Sequence, residues 1–156
     1  MTPEMSSTEM SKKDADKTKV LFVCVGNACR SQMAEALARA KASDVIEPSS
    51  AGLAPFGEIV GATRSVLAER GIPIDGQYSK ALTRQACDAA DRIVNMSGHP
   101  ADVIFSDQPE KVEDWQVRDP YGQDLEGHRH ICDEIDERVS ELARRLREKQ
   151  AAAKDG

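Results

Sequence analysis

Residues 19–40 read KVLFVCVGNACRSQMAEALARA, an apolar run that passes through a short loop into an amphipathic segment. VLFVCV (20–25) is continuous, rich in β-branched residues and bounded by Gly26, the pattern of a central strand covered on both faces. Met33, Ala36, Leu37 and Ala40 then fall at helical spacing with Glu35, Arg39 and Lys41 on the other side, and Ser31 stands where it can cap the helix. A strand that feeds a helix through VGNACRS turns several backbone N–H groups, and the positive end of the helix dipole, onto one spot. Cys24 lies at the start of that loop and Arg30 at its end.

Such a cradle holds an anion, and it favours the thiolate form of a cysteine placed in it. Arg30 adds a fixed charge whose planar fork matches two oxygens of a tetrahedral oxyanion, whereas lysine would supply the charge without the fork. Gly26 allows the backbone to turn tightly around a phosphate. Asn27 is among the few non-glycine types that tolerate left-handed geometry, and its side chain is available to lock the loop. Val25, Gly26, Asn27, Ala28, Cys29 and Arg30 therefore read as a phosphate-sized nest around a nucleophile, Cys24. A cysteine at the end of an apolar strand is by itself ordinary packing; Gly26, Asn27, Arg30, Ser31 and the helix behind them carry the other reading.

The alternation of short apolar run and amphipathic segment recurs. EPSSAGL (47–53) reads as a second strand, IVGATRSVLAERG (59–71) as a helix stopped at Gly71, and LTRQACDAA as a helix that Thr83 can cap. DRIVNM (91–96) reads as a third strand, ADVIF as a short helical turn, EDWQV (113–117) as a fourth strand and RDPYGQD (118–124) as a loop. From Leu125 a long helix sets Ile131, Ile135, Val139, Leu142 and Leu146 on one stripe. The order predicts an α/β fold, a three-layer, doubly wound, four-stranded parallel sheet with helices on both faces and ligands at the carboxyl ends of the strands. Residues 1–18 are polar and mixed in charge and are expected to be a disordered tail. Residues 19–149 form the domain, and 150–156 are expected to be a flexible end.

A chain of 156 residues buries roughly 70% of its unfolded surface and supports one core. No apolar run reaches the ~18 residues of a membrane span, and no signal sequence opens the chain, so a cytoplasmic protein without a membrane partner is expected. Cys24, Cys29, Cys87 and Cys132 then read as free thiols. The net charge of −6 disfavours nucleic acid, which needs a basic face, but leaves room for a locally positive pocket. Zinc on HRHIC (128–132) is disfavoured, because alternate positions on a helix point different ways. No GK[ST] or GxGxxG occurs, and neither a metal nor another cofactor is expected.

VCVGNACRSQMAEALAR resembles the phosphate-binding loop of the low-molecular-weight protein tyrosine phosphatases and of the arsenate reductases that share their fold. RDPYGQD and SSAG extend the likeness, which runs from about Lys19 to about Arg147. The resemblance implies Cys24 as nucleophile, Arg30 as oxyanion clamp and Asp119 as general acid and base. Ser31, Ser50 and Pro120 would support the site, and Tyr121, with Leu53 or Phe56, would line the substrate cleft. Pro120 also keeps Asp119 extended. The implied activity is hydrolysis of phosphotyrosine, in a protein or a small aryl phosphate, through a cysteinyl-phosphate, by a monomer or weak dimer that binds phosphate-type and arsenate-type oxyanions.

The pattern is also broken in places. Gln32 stands where the phosphatases commonly have proline and the reductases glutamine, and Gln77 stands near where some members carry a histidine that supports the loop. The alternative is thus an arsenate reductase that uses the same loop with an external thiol. Against it, NMSGHPADVIF lacks the relay cysteines that thioredoxin-coupled reductases place after the third strand. A third reading, a non-catalytic phosphate or phosphotyrosine binder, has to leave Cys24, Arg30 and Asp119 without a task. Cys29 is read as core filler or as a protective redox partner of Cys24; Cys87 and Cys132 are read as packing.

Overall fold

The computed structural model describes residues 17–155, so the expected tail over 1–18 lies almost wholly outside the described residues. Four parallel strands form one sheet in the order β2-β1-β3-β4: β1 (Thr18–Cys24), β2 (Ile46–Gly52), β3 (Arg92–Asn95) and β4 (Val112–Asp114). Between and after them run α1 (Arg30–Lys41), α2 (Gly61–Glu69), α3 (Arg84–Ala89), α4 (Ala101–Ile104) and α5 (Leu125–Asp155). The sheet order reverses at β1, which has β2 on one side and β3 on the other. That reversal opens a crevice at the carboxyl ends of β1 and β3, the place where such sheets bind ligands.

The continuous apolar reading of β1 follows from its two buried faces. Val20, Phe22 and Cys24 point into one core with Met33 and Leu37 of α1, Val66 and Leu67 of α2 and the stripe Ile131, Ile135, Val139, Leu142 and Leu146 of α5. Leu21 and Val23 point the other way, against Cys87, Ala90, Ile93 and Phe105 beside α3 and α4. The period of two along a strand thus decides that Cys24 shares a face with Phe22. Fully burying each of these side chains contributes about 1.5–3 kcal/mol. Cys87 and Cys132 lie in these cores as packing residues.

Local chemistry sets the element ends. Thr83 Oγ1 accepts from the N–H of Ala86 at 3.0 Å and starts α3 as expected, and Gly71, at φ +70°, lets the chain leave α2.

Three expectations are corrected. β4 spans 112–114 instead of 113–117, because the chain after Trp115 leaves the sheet and brings the Val117 carbonyl to Arg30. Glu35, expected on the outer face of α1, is 6% exposed and bonded to Ser50. Ser31 is not the cap of α1: the capping position is Cys29, without a side-chain bond, and the Ser31 hydroxyl turns to Cys24. At the other end, α5 runs on through 150–155. None of the helices among the described residues is long and apolar enough to cross a membrane.

Candidate active site

The loop between β1 and α1 is held from outside by its carbonyls. Those of Cys24, Val25, Gly26 and Ala28 accept from the N–H groups of Leu53, Ala54, Phe56 and Val60 at 2.8–3.2 Å, and that of Asn27 accepts from Gln32 Nε2 at 3.1 Å. With the carbonyls turned outward, the N–H groups of Gly26 to Arg30 meet no acceptor among the described residues. Buried N–H groups are normally paired, so an unpaired ring of them is a site for an anion.

Asn27 makes the turn with φ +48°, and its side chain is fixed at both ends. Oδ1 accepts from the Lys80 N–H at 2.9 Å and from Gln32 Nε2 at 3.0 Å, which leaves Nδ2 to donate to Ser31 Oγ at 2.7 Å. Since Ser31 Oγ accepts that bond, its own hydrogen is free for Cys24 Sγ, 2.9 Å away. The loop thus aims a hydroxyl donor at the sulfur.

Arg30 is 5% exposed, and its Nη1 is committed to the carbonyls of Met96 at 2.6 Å and Val117 at 3.1 Å. Nε is buried and has no partner among the described residues, and Nη2 lies 3.6 Å from Asp119 Oδ2. The guanidinium therefore keeps one whole edge, Nε and Nη2, for two oxygens of a ligand. Leaving such a donor buried and unpaired costs about 1–3 kcal/mol, which a bound oxyanion relieves.

A pocket of about 50 Å³ is lined by Cys24, Gly26, Ala28, Cys29, Arg30, Phe56, Asp119 and Tyr121. Phe56 and Tyr121 form its rim, ring centroids 5.5 Å apart and edge to face, and both rings are exposed. Asp119 is half exposed at the mouth, and its Oδ1 accepts from the Tyr121 N–H at 3.0 Å across the buried Pro120, which fixes the carboxylate. Leu53 is not at the rim: its side chain packs against the second core. Ser50 does not line the pocket; its hydroxyl donates to Glu35 Oε1 at 2.5 Å.

Further side chains brace the loop from α1 and from residues 77–80. Gln77 Nε2 donates to Gln32 Oε1 at 2.7 Å while Gln77 Oε1 accepts from Arg39 at 2.6 Å, so the two departures from the family pattern bond to each other. Lys80 stands 4.0 Å from Glu35; burial lowers its pKa from the ordinary lysine value, and Glu35 offsets part of that. Gly26 needs no special conformation, and a Cβ there would only touch Phe56 at 3.6 Å. The close approach is at Gly52 instead, where a Cβ would sit 2.7 Å from the Val25 carbonyl and 2.8 Å from the Asn27 N–H. The glycine of SSAG is thus what lets β2 lie against the loop.

Cys29 is a free, buried thiol whose Sγ lies 4.0 Å from Nε2 of the buried His128. Burial raises its pKa to about 11, and burial does the same for Cys132. A thiol whose pKa is raised by folding stabilises the fold fully below its unfolded value of 9.0 and loses that contribution as the pH climbs toward 11. Each is worth about 2–3 kcal/mol at the high-pH limit. Urea unfolding at pH 7 and pH 10.5 should show stability falling over this window, and Cys132→Ala should make the fall shallower.

The description of the family model that matches residues 19–152 is "Low molecular weight phosphotyrosine protein phosphatase". Arsenate reductase 1 of Bacillus cereus is 35% identical over 129 residues, 82% of this chain and 96% of that protein. The arginine phosphatase structure from Geobacillus stearothermophilus superposes with a TM-score of 0.78 at 31% identity, covering 86% of this chain and 96% of that one. A low molecular weight protein tyrosine phosphatase from T. tengcongensis gives 0.74 at 29%, covering 83% and 99%. With the nest, the parallel sheet that carries it and a match spanning nearly all the described residues in agreement, this chain belongs to the low molecular weight phosphotyrosine protein phosphatase family.

Proposed function

We propose that the protein hydrolyses phosphate monoesters of the phosphotyrosine type through a phosphorylated Cys24. The observation that carries this reading is the free edge of Arg30: a buried guanidinium with Nη1 spent on two carbonyls and Nε unpartnered, beside a ring of unpaired N–H groups. In the reaction the Cys24 thiolate attacks phosphorus, and the bond to the ester oxygen breaks. The loop N–H groups and the Arg30 edge hold the three equatorial oxygens as their charge redistributes. Phenolate is a poor leaving group at neutral pH, its acid having a pKa near 10, so Asp119 at the mouth gives the departing oxygen a proton. The same carboxylate then takes a proton from water as that water attacks the thiophosphate, releasing inorganic phosphate and the thiolate.

Arsenate reduction is the second reading, favoured by Gln32 in the loop support and by the likeness to the arsenate reductase of Bacillus cereus. Two features weigh toward the phosphatase. The exposed pair Phe56 and Tyr121 offers a flat face to an aromatic leaving group, which an inorganic oxyanion does not need. The two cysteines outside the loop, Cys87 and Cys132, are packed in the cores, so a thiol relay would need an external donor.

The test is a leaving-group series of aryl phosphates with wild type and Asp119→Asn, run beside arsenate reduction with glutathione, mycothiol or thioredoxin. Asp119→Asn should slow phenyl phosphate by about 10²–10⁴-fold and an activated nitrophenyl ester far less. Equal slowing across the series would remove the acid role, and arsenate turnover without ester hydrolysis would select the second reading.

A further inference from the structure

A second, larger cleft of about 530 Å³ opens at the carboxyl ends of β3 and β4, between residues 95–100 and 114–118. It shares a wall with the candidate active site, since Met96 and Val117, which line it, give the two carbonyls that hold Arg30. Its volume is that of a ligand pocket.

The charges on its lining are uneven. Asp114 is engaged by Asn95 Nδ2 at 2.9 Å. Arg118 and His99 are exposed and make no side-chain hydrogen bond or ion pair among the described residues. This sets Arg118 apart from Arg84, Arg129 and Arg147, each of which is paired with a carboxylate. In a chain of net charge −6, an unpaired guanidinium in a cleft, with an imidazole beside it, forms a local point of attraction for an anion.

Reach decides what that anion can be. Arg118 and Asp119 are consecutive, so the cleft begins about 3.8 Å along the chain from the mouth of the active site. An extended polypeptide advances about 3.3–3.6 Å per residue, so a side chain two or three positions from a phosphorylated residue reaches about 7–11 Å from it. Resting on the phosphatase reading above, we infer that this cleft receives an acidic side chain flanking the phosphorylated residue of a polypeptide substrate, with Arg118 as its main partner and His99 as a second donor.

The experiment compares phosphotyrosine peptides that carry glutamate, alanine or lysine at the second and third positions on either side. Hydrolysis is measured with wild type, Arg118→Glu and His99→Ala, and binding with Cys24→Ser; nitrophenyl phosphate, which has no flank, is the control. Wild type should prefer a glutamate flank about five- to tenfold in kcat/KM, through KM, with the preference weakened by salt. Arg118→Glu should invert it toward lysine, His99→Ala should reduce it, and both variants should keep wild-type rates on nitrophenyl phosphate. Equal rates for the three peptides, or an unchanged preference in Arg118→Glu, would overturn the inference while the phosphatase reading stands. Failure of wild type to hydrolyse, and of Cys24→Ser to bind, any of these phosphopeptides would overturn both.

Discussion

Cys24→Ser is expected to abolish aryl phosphate hydrolysis, by at least about 10⁴-fold in kcat, while phosphate still binds. Serine keeps the volume and the neighbour at Ser31 but presents an un-ionised hydroxyl in place of a thiolate, so the first bond to phosphorus does not form. The anion site is otherwise intact, because the N–H groups of the loop and the edge of Arg30 do not depend on the sulfur. The measurement is paired: steady-state turnover, and phosphate affinity from protection against thermal unfolding. A variant with half the wild-type rate would remove Cys24 from the chemistry. Loss of phosphate binding along with turnover would mean that serine had disturbed the nest, and Cys24→Ala would then separate the two causes.

Arg30→Lys should have the second largest effect, lowering kcat by about 10²–10³-fold. Lysine retains the charge but cannot donate to the carbonyls of Met96 and Val117 and, with a second nitrogen edge, to two phosphate oxygens. Stability should fall as well, by about 1–3 kcal/mol, because two buried carbonyls lose a charged donor. The catalytic and stability effects separate on an activated ester whose leaving group needs no acid. A lower kcat there, measured below the unfolding temperature, isolates the loss of the oxyanion clamp. Wild-type kcat in Arg30→Lys would reduce Arg30 to a structural link between β3, the 115–118 segment and α1.

The strands and helices were legible because burial leaves a period. β1 is apolar throughout since both of its faces are covered, and α5 carries its stripe because one side alone is covered. β4 does not show in the pattern because a three-residue edge strand is too short to carry a period, and Trp115 and Val117 are buried for other reasons, one against Phe22 and the other beside Arg30. Within the site, the nest was legible because its residues are contiguous. Two of its supports are not: Gly52 and Lys80 meet the loop across 25 or more positions of sequence. Glu35 read as a surface charge, since nothing in the pattern of α1 shows that Ser50 and Lys80 lie opposite it. Ser31 reads as a helix cap from sequence but bonds the Cys24 sulfur instead. The preference for serine at helix starts comes from backbone capping, and here the Cys24 sulfur takes that hydroxyl instead.

The central claim is that phosphorus is transferred to the Cys24 sulfur and rests there before water removes it. Asp119→Asn is expected to slow the second step, so mixing that variant with an activated aryl phosphate, quenching in acid and mapping the digest by mass spectrometry should find a phosphate on the peptide that contains Cys24, formed in a burst as fast as the release of the phenol. Turnover with no phosphorylated peptide, or with the phosphate on any other residue, would contradict it.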